Sequence, residues 1–262
     1  MTKAKLIAGF YRATSPKHWL RLSWYFLAWF GWRLFRVKIS GEQMLVFRNF
    51  RVAVDPQGLG GLVFLHEILV GRIYDVAALR PGSDIRVVFD AGANCGFFAL
   101  FQSAQNPALT IYCFEPHPRT FQHLKRNIEA NALTRVVPVH AAVGAASGTC
   151  QINVSAESSM AIVSSSTVQF LNAPQSVEVP LMGLDDFAAR RNVWPDFIKI
   201  DVEGFEVEVL RGARSCLRHC RGIILEYHSE ELKSQCVRLL EEAGFNIVPS
   251  GKSLLSGTKP PL

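Results

Sequence analysis

The chain of 262 residues contains no acidic residue before Glu42, although eight Lys/Arg lie in residues 1–41. Twenty basic and twenty-two acidic residues remain beyond that point, so the formal charge of +6 belongs to the N-terminus. A nucleic-acid substrate for the main body is therefore not expected, because such sites present a basic face. The six cysteines include no C-x-x-C pair, which excludes a zinc-ribbon framework and suits a reduced, cytosolic chain. Cys216 and Cys220, one helical turn apart, read as packing residues. No apolar run is long enough to span a bilayer. Leu22–Trp32 gives about 16 Å of helix against a hydrocarbon core of roughly 30 Å. No small-residue cleavage site follows it, so it is not a signal peptide either. Internal repeats are absent.

What is present near the N-terminus is aromatic. Trp19, Trp24, Trp29 and Trp32 stand among Tyr25, Phe26, Phe30 and Phe35, with Lys17, Arg21, Arg33, Arg36 and Lys38 around them. Such a segment suits the headgroup region of a membrane, where amphipathic rings and long cationic side chains are both accommodated. Packing of the same aromatics on protein is the equal alternative. A peripheral contact through residues 17–38, on the inner face of a membrane, is thus one expectation.

Residues 1–40 read as a basic, aromatic helical segment and 41–84 as a strand-and-helix lead-in. An α/β domain follows over 85–250, then a short tail at 251–262. In the lead-in, Met44–Val54 reads as one or two strands and Leu62–Leu79 as a helix, broken by Arg80-Pro81-Gly82-Ser83. Beyond it strands and helices alternate, which signals a mostly parallel, doubly wound, Rossmann-like sheet. Strands are expected at Val87–Asp90, Thr110–Glu115, Arg135–Ala142, Phe197–Asp201, Gly222–Tyr227 and Phe245–Val248. Helices are expected at 97–104, Pro118–Ala130, Leu184–Arg191, Phe205–Cys220 and Glu230–Ala243. Thr149–Val154 and Ser176–Leu181 form an added hairpin around the serine-rich stretch 155–167, which reads as an exposed loop or a lid.

The first of these strands ends in the most telling run, Val87-Val88-Phe89-Asp90-Ala91-Gly92-Ala93-Asn94-Cys95-Gly96. It is a buried strand closed by an acid, then a glycine turn opening a helix. Gly92 and Gly96 stand four apart without the third glycine of G-x-G-x-x-G, so a dinucleotide fingerprint is excluded. No G-x-x-x-x-G-K-[ST] occurs, which excludes a P-loop. D-x-G-x-N-x-G after a strand points instead to S-adenosylmethionine (SAM). Asp90 either contacts the amino-acid end of that cofactor or caps the turn. Asn94 suits left-handed turn geometry. Glu115, twenty-five residues on and at the end of the next strand, is placed to accept both ribose hydroxyls. Ala142 and Asp201 end further strands and should face the same crevice.

These motifs, with CFEPHP, NIEAN, HAAVGAASG, LDDF, VLRGA and above all IKIDVEGFE at Ile198–Glu206, resemble the FkbM-type SAM-dependent methyltransferases from about Gly61 to Val248. The resemblance implies a class I methyltransferase sheet and methyl transfer to oxygen, often on a sugar or polyketide hydroxyl. The N-terminal segment points to a sugar or lipid-linked glycan as the small-molecule or glycan acceptor. The short tail suggests that the last antiparallel strand is shortened or absent. Candidate catalytic groups are Asp201, Glu203, Glu226 and His228, with Glu206 beside them. Mg²⁺ held by oxygen ligands is an alternative way to acidify the hydroxyl, though no metal ligands are assigned. N- or C-methylation of another small molecule, or an idle SAM-fold subunit that binds a partner, are the rival functions.

Overall fold

The computed structural model describes residues 3–20, 22–24, 26–27, 31, 43–47, 50–54, 74, 76–154, 161–163 and 175–259. The expected helix at 62–79 lies outside them except at its end, where Ala77–Leu79 forms a single 3₁₀ turn. Most of the serine-rich loop and Trp29, Trp32 and Phe35 also lie outside them.

After helix α1 (Lys3–Ala13) comes a hairpin of β1 (Gln43–Phe47) and β2 (Phe50–Val54). The main domain opens with β3 (Val87–Ala91), α2 (Phe97–Gln105), β4 (Thr110–Phe114), α3 (Pro118–Ala130) and β5 (Val136–Val139). A small insertion follows, with β6 (Ala142–Val143), β7 (Gly148–Val154), β8 (Ala161–Val163) and β9 (Gln175–Met182). The chain then runs through α4 (Leu184–Arg191), β10 (Phe197–Ile200), α5 (Glu206–Arg211), α6 (Arg214–His219) and β11 (Gly222–Glu226). It ends with α7 (Glu230–Glu242), β12 (Asn246–Pro249) and β13 (Leu254–Thr258).

Seven strands form one sheet in the order β12-β13-β11-β10-β3-β4-β5, in which β13 runs antiparallel to β11 and β12. The four pairings from β11 to β5 are parallel. The chain winds outward from β3 through β4 to β5, then returns to β10 and winds the other way. The carboxyl ends of β3 and β10 therefore flank the switch point, where open α/β sheets bind their ligands.

Four departures from the sequence reading have local causes. The expected strand at 135–142 is two. Val136–Val139 is an edge strand that tolerates Pro138, whereas Ala142–Val143 leaves the sheet and pairs with β9. The expected hairpin of β7 and β9 gains β8 from within the serine-rich stretch. The expected helix 205–220 breaks at Gly212, where a side chain would lie 2.0 Å from the Gly144 carbonyl oxygen. Asp185 restarts the helix by accepting the Ser215 and Cys216 N–H groups, each at 2.8 Å. Finally, the tail carries a full strand, β13, seated between β11 and β12.

The N-terminal helices close over one face of the sheet. Phe10, Leu22 and Phe26 are buried in the same cluster as Val88, Phe98 and Leu124. The described residues within 19–31 are helical, and their other face leaves Trp19, Leu20, Trp24 and Leu27 exposed. The β1–β2 hairpin is held by the asparagines of NIEAN. Asn131 accepts from Arg51 N (2.8 Å) and donates to Arg51 O (2.6 Å). Asn127, fully buried, accepts from Ala53 N (2.7 Å) and donates to Cys95 O (2.8 Å), which ties the hairpin to the glycine turn. All six cysteines are free thiols, and Cys216 and Cys220 are fully buried packing residues.

Candidate active site

The turn after β3 is built from left-handed residues, Gly92 (φ 79°), Asn94 (φ 51°) and Gly96 (φ 82°). A Cβ on Gly92 would lie 1.7 Å from the Asp201 carbonyl oxygen, so only glycine lets the turn pass that close to β10. Every N–H from Gly92 to Gly96 finds an acceptor within the turn or on the neighbouring strand. Gly92 and Ala93 donate to Phe114 O, Gly96 to Ala93 O, Cys95 to the Asn94 side chain, and Asn94 to Glu115 Oε2. The turn is therefore rigid before any ligand arrives, and Asn94 serves its geometry.

Glu115 sits just past β4, 5 % exposed. Its two oxygens accept from Asn94 N (2.9 Å) and His117 N (2.8 Å), which leaves further lone pairs for a diol. Burial pushes its carboxyl up to about 7 against the pull of these two N–H bonds.

Asp90, fully buried, does not cap the turn. Its carboxylate meets Lys199 Nζ at 3.1 Å, from the residue directly across the β3–β10 ladder. Burial raises the Asp90 pKa and the lysine opposes it. Lys199 also donates to Gly92 O (2.7 Å) and lies 3.5 Å from Asp201 Oδ2. Burial works against its charge, but Asp90 and Asp201 prevail and hold it protonated. Ala142 is buried with Ile152 and Val179 in the small sheet.

Past β10 the turn Asp201–Phe205 brings the acids together. Glu203 occupies a left-handed conformation (φ 53°) followed by Gly204 (φ 99°). His228, two residues past β11, lies between two carboxylates, with Nε2 3.1 Å from Glu203 and Nδ1 2.7 Å from Glu206. Desolvation alone would lower the imidazole pKa. The hydrogen bonds and charges of Glu203 and Glu206 overcome it and raise it to about 10. His228 is therefore cationic at neutral pH in this arrangement. Glu206 is fully buried and also accepts from Gly204 N at 2.8 Å.

Tyr74 was not foreseen. Buried to 3 %, it donates its hydroxyl to Asp201 Oδ2 (3.3 Å) and Glu226 Oε2 (3.2 Å), and its ring packs edge-on against Phe98. Ser253, in the turn before β13, donates to the other oxygen of Glu226 at 3.0 Å. Burial raises the Glu226 pKa, and Asp201 adds to the effect. No periodicity or motif marks Tyr74 or Ser253 in the sequence. Among the described residues the strand ends thus gather Asp90, Glu115, Asp201, Glu203, Glu206 and Glu226 around Lys199 and His228.

The family model for the methyltransferase FkbM domain matches residues 90–247. Methyltransferase 1 of Beauveria bassiana is 29% identical over 191 residues, 65% of this chain and 75% of that one. The 31-O-demethyl-FK506 methyltransferase FkbM of Streptomyces tacrolimicus is 27% identical over 233 residues, 76% of this chain and 88% of its own length. The hexuronic acid methyltransferase AglP of Haloferax volcanii is 30% identical over 176 residues, covering 63% and 65%. A solved SAM-dependent methyltransferase from Agrobacterium tumefaciens aligns with a TM-score of 0.45 at 12% identity, over 86% of this chain and 72% of that one. The strand order with its single reversed strand, the glycine turn at the switch point and the family match define a class I SAM-dependent methyltransferase. Within that class, the chain belongs to the FkbM methyltransferase family.

Proposed function

We propose that this enzyme methylates a hydroxyl oxygen of a sugar-type acceptor, and that it works at a membrane surface on a lipid-linked glycan. The observation that carries the oxygen reading is the acid and histidine cluster after β10. The sequence there is Asp201-Val202-Glu203-Gly204-Phe205, where amino-methylating enzymes of adenine or glutamine carry [ND]-P-P-[YF]. Two relatives support the proposal by name, the sugar part through a hexuronic acid methyltransferase and the oxygen part through a 31-O-demethyl-FK506 methyltransferase.

Gly92, Asn94 and Gly96 would hold SAM by close backbone approach, Glu115 by its free lone pairs toward the ribose. When bound, SAM supplies a methyl group already activated on a sulfonium. The protein's part is to hold the acceptor oxygen in line and to take its proton. His228 already carries a proton, so that work falls to the carboxylates. Asp201 and Glu226 share the Tyr74 hydroxyl and keep spare accepting capacity, and burial has raised the proton affinity of Glu226. Glu203 and Glu206 fix His228 as the wall of the pocket.

The test uses full-length protein, SAM with an isotopically labelled methyl, and lipid-linked glycans. Mass spectrometry of the released sugars should find the label as a methyl ether on ring oxygen. Label on nitrogen or carbon would overturn the reading. Asp201→Asn should slow transfer by ~100-fold or more while SAM still binds.

The membrane half rests on Trp19, Leu20, Trp24 and Leu27, exposed on one helical face in a segment without acids. Their apolar area and the surrounding cations suit an anionic bilayer, at about 1 kcal/mol per basic residue near the surface. Deleting the segment would strip Phe10, Leu22 and Phe26 from the core, so the variant keeps them and changes the four exposed residues to Ser. The native chain should float with vesicles containing anionic phospholipid and the variant should not. Equal behaviour would remove the anchor.

A further inference from the structure

We infer that Asp201, Glu203 and His228 form a binding site for a divalent cation of the Mn²⁺ class, positioned to hold the acceptor oxygen and leaving its proton to Glu226. Each residue offers one ligand atom, and these atoms all lie within 4.8 Å of one another. Ligands at about 2.1–2.2 Å from a metal stand up to roughly 4.4 Å apart, so small side-chain rotations close the set. One imidazole nitrogen with two carboxylates suits Mn²⁺ better than Mg²⁺, which prefers oxygen and retained water. Three protein ligands leave open positions for an incoming oxygen.

Two further observations point to a cation. Glu206 Oε1 holds His228 Nδ1 at 2.7 Å and turns Nε2 toward Glu203, the carboxylate–histidine arrangement that orients metal ligands. Its other oxygen, Glu206 Oε2, is buried without a hydrogen-bond partner. A fully buried carboxylate is costly unless positive charge stands nearby, here the imidazolium of His228 at 2.7 Å or, once that proton leaves, a cation at Nε2. Lys199 is committed to Asp90 and the glycine turn, so among the described residues it leaves the Glu203–Glu206 end to His228. Cation uptake displaces the imidazole proton, which is a cost to affinity and not an obstacle to geometry.

The cation's task of holding the acceptor rests on the hydroxyl reading above, whereas its binding does not. The experiment accordingly reads binding without acceptor. Full-length protein stripped with chelator is titrated with MnCl₂, free Mn²⁺ is followed by electron paramagnetic resonance, and the bound ion is probed for imidazole nitrogen by electron spin echo modulation. One Mn²⁺ per chain with a histidine nitrogen signal is expected. Glu206→Gln should keep that signal but weaken affinity ~10–100-fold, as loss of an orienting partner does. His228→Gln should abolish the signal. The native protein decides the matter even if a variant misfolds. No uptake at millimolar Mn²⁺, or uptake without the nitrogen signal, would overturn the site whether or not the enzyme methylates oxygen.

Discussion

Glu115 makes a quantitative prediction about cofactor affinity. Burial places its carboxyl near 7, so about a tenth of the ligand-free protein is ionised there at pH 6 and about nine tenths at pH 8. The ribose hydroxyls are donors, and the site already supplies two N–H donors from Asn94 and His117. On the proposed ribose contact, the ionised, acceptor-only form is the one that binds. SAM affinity should tighten ~10-fold between pH 6 and pH 8, about 1.4 kcal/mol. In the ligand-free chain the same group acts in the opposite sense. Its pKa is raised above the ordinary 4.5, so the folded state retains a proton that the unfolded chain gives up. That contribution to stability is fully present below pH 4.5 and is lost as pH rises through about 7. The assay is titration calorimetry at constant ionic strength, with Glu115→Gln measured in parallel. The glutamine chain binds more weakly and supplies the baseline slope, including that of the ligand's own amino group. Native and Glu115→Gln proteins with the same pH slope would refute the argument.

The remaining predictions concern how the site is held. Gly92→Ala should abolish SAM binding and lower the melting temperature, because its Cβ meets backbone at 1.7 Å in a left-handed turn. Gly96→Ala should be milder, since its Cβ meets only the Leu124 Cδ1 side-chain end, at 2.5 Å. Thermal shift with and without SAM compares the two. Asn127→Ala strands Ala53 N in the interior, at ~1–3 kcal/mol, and removes a bond to Cys95 O, and urea unfolding should show the loss. Lys199→Met leaves Asp90 buried without its cation and should cost ~3–5 kcal/mol in the same assay near neutral pH. Acidification should recover part of it as Asp90 takes up a proton.

Much of the site was legible because strand ends are legible. Buried runs closed by Asp90, Asp201 and Glu226 mark where parallel strands stop, and Glu115 stands one residue beyond β4. The topology then gathers those positions. What escaped depends on contacts between distant segments. Tyr74 reaches Asp201 and Glu226 across 127 and 152 residues, from a lead-in whose pattern shows only packing. The strand β13 hid in the short tail, which suggested a last antiparallel strand shortened or absent. Its glycine is required because neighbours crowd it from both sides, with a Cβ at Gly257 coming within 2.8 Å of both Ile247 and Ile223. Gly212 likewise breaks a helix that local propensity would continue, because the Gly144 backbone crosses it.

Lys199 shows most clearly how placement decides chemistry. In sequence it is one charge within IKIDVEGFE, open to a surface role, yet in the fold it is 3 % exposed and spends its donors on Asp90 and Gly92 O. The strongest positive charge in the crevice thus serves the cofactor turn. Among the described residues, Asp201, Glu203, Glu206 and Glu226 keep only His228 among them. Such a surface repels phosphate or carboxylate at the reacting position and attracts protons and cations. On the proposed reading, an acceptor that presents a neutral hydroxyl at the point of attack, with any acidic group turned away, is the one this charge distribution favours.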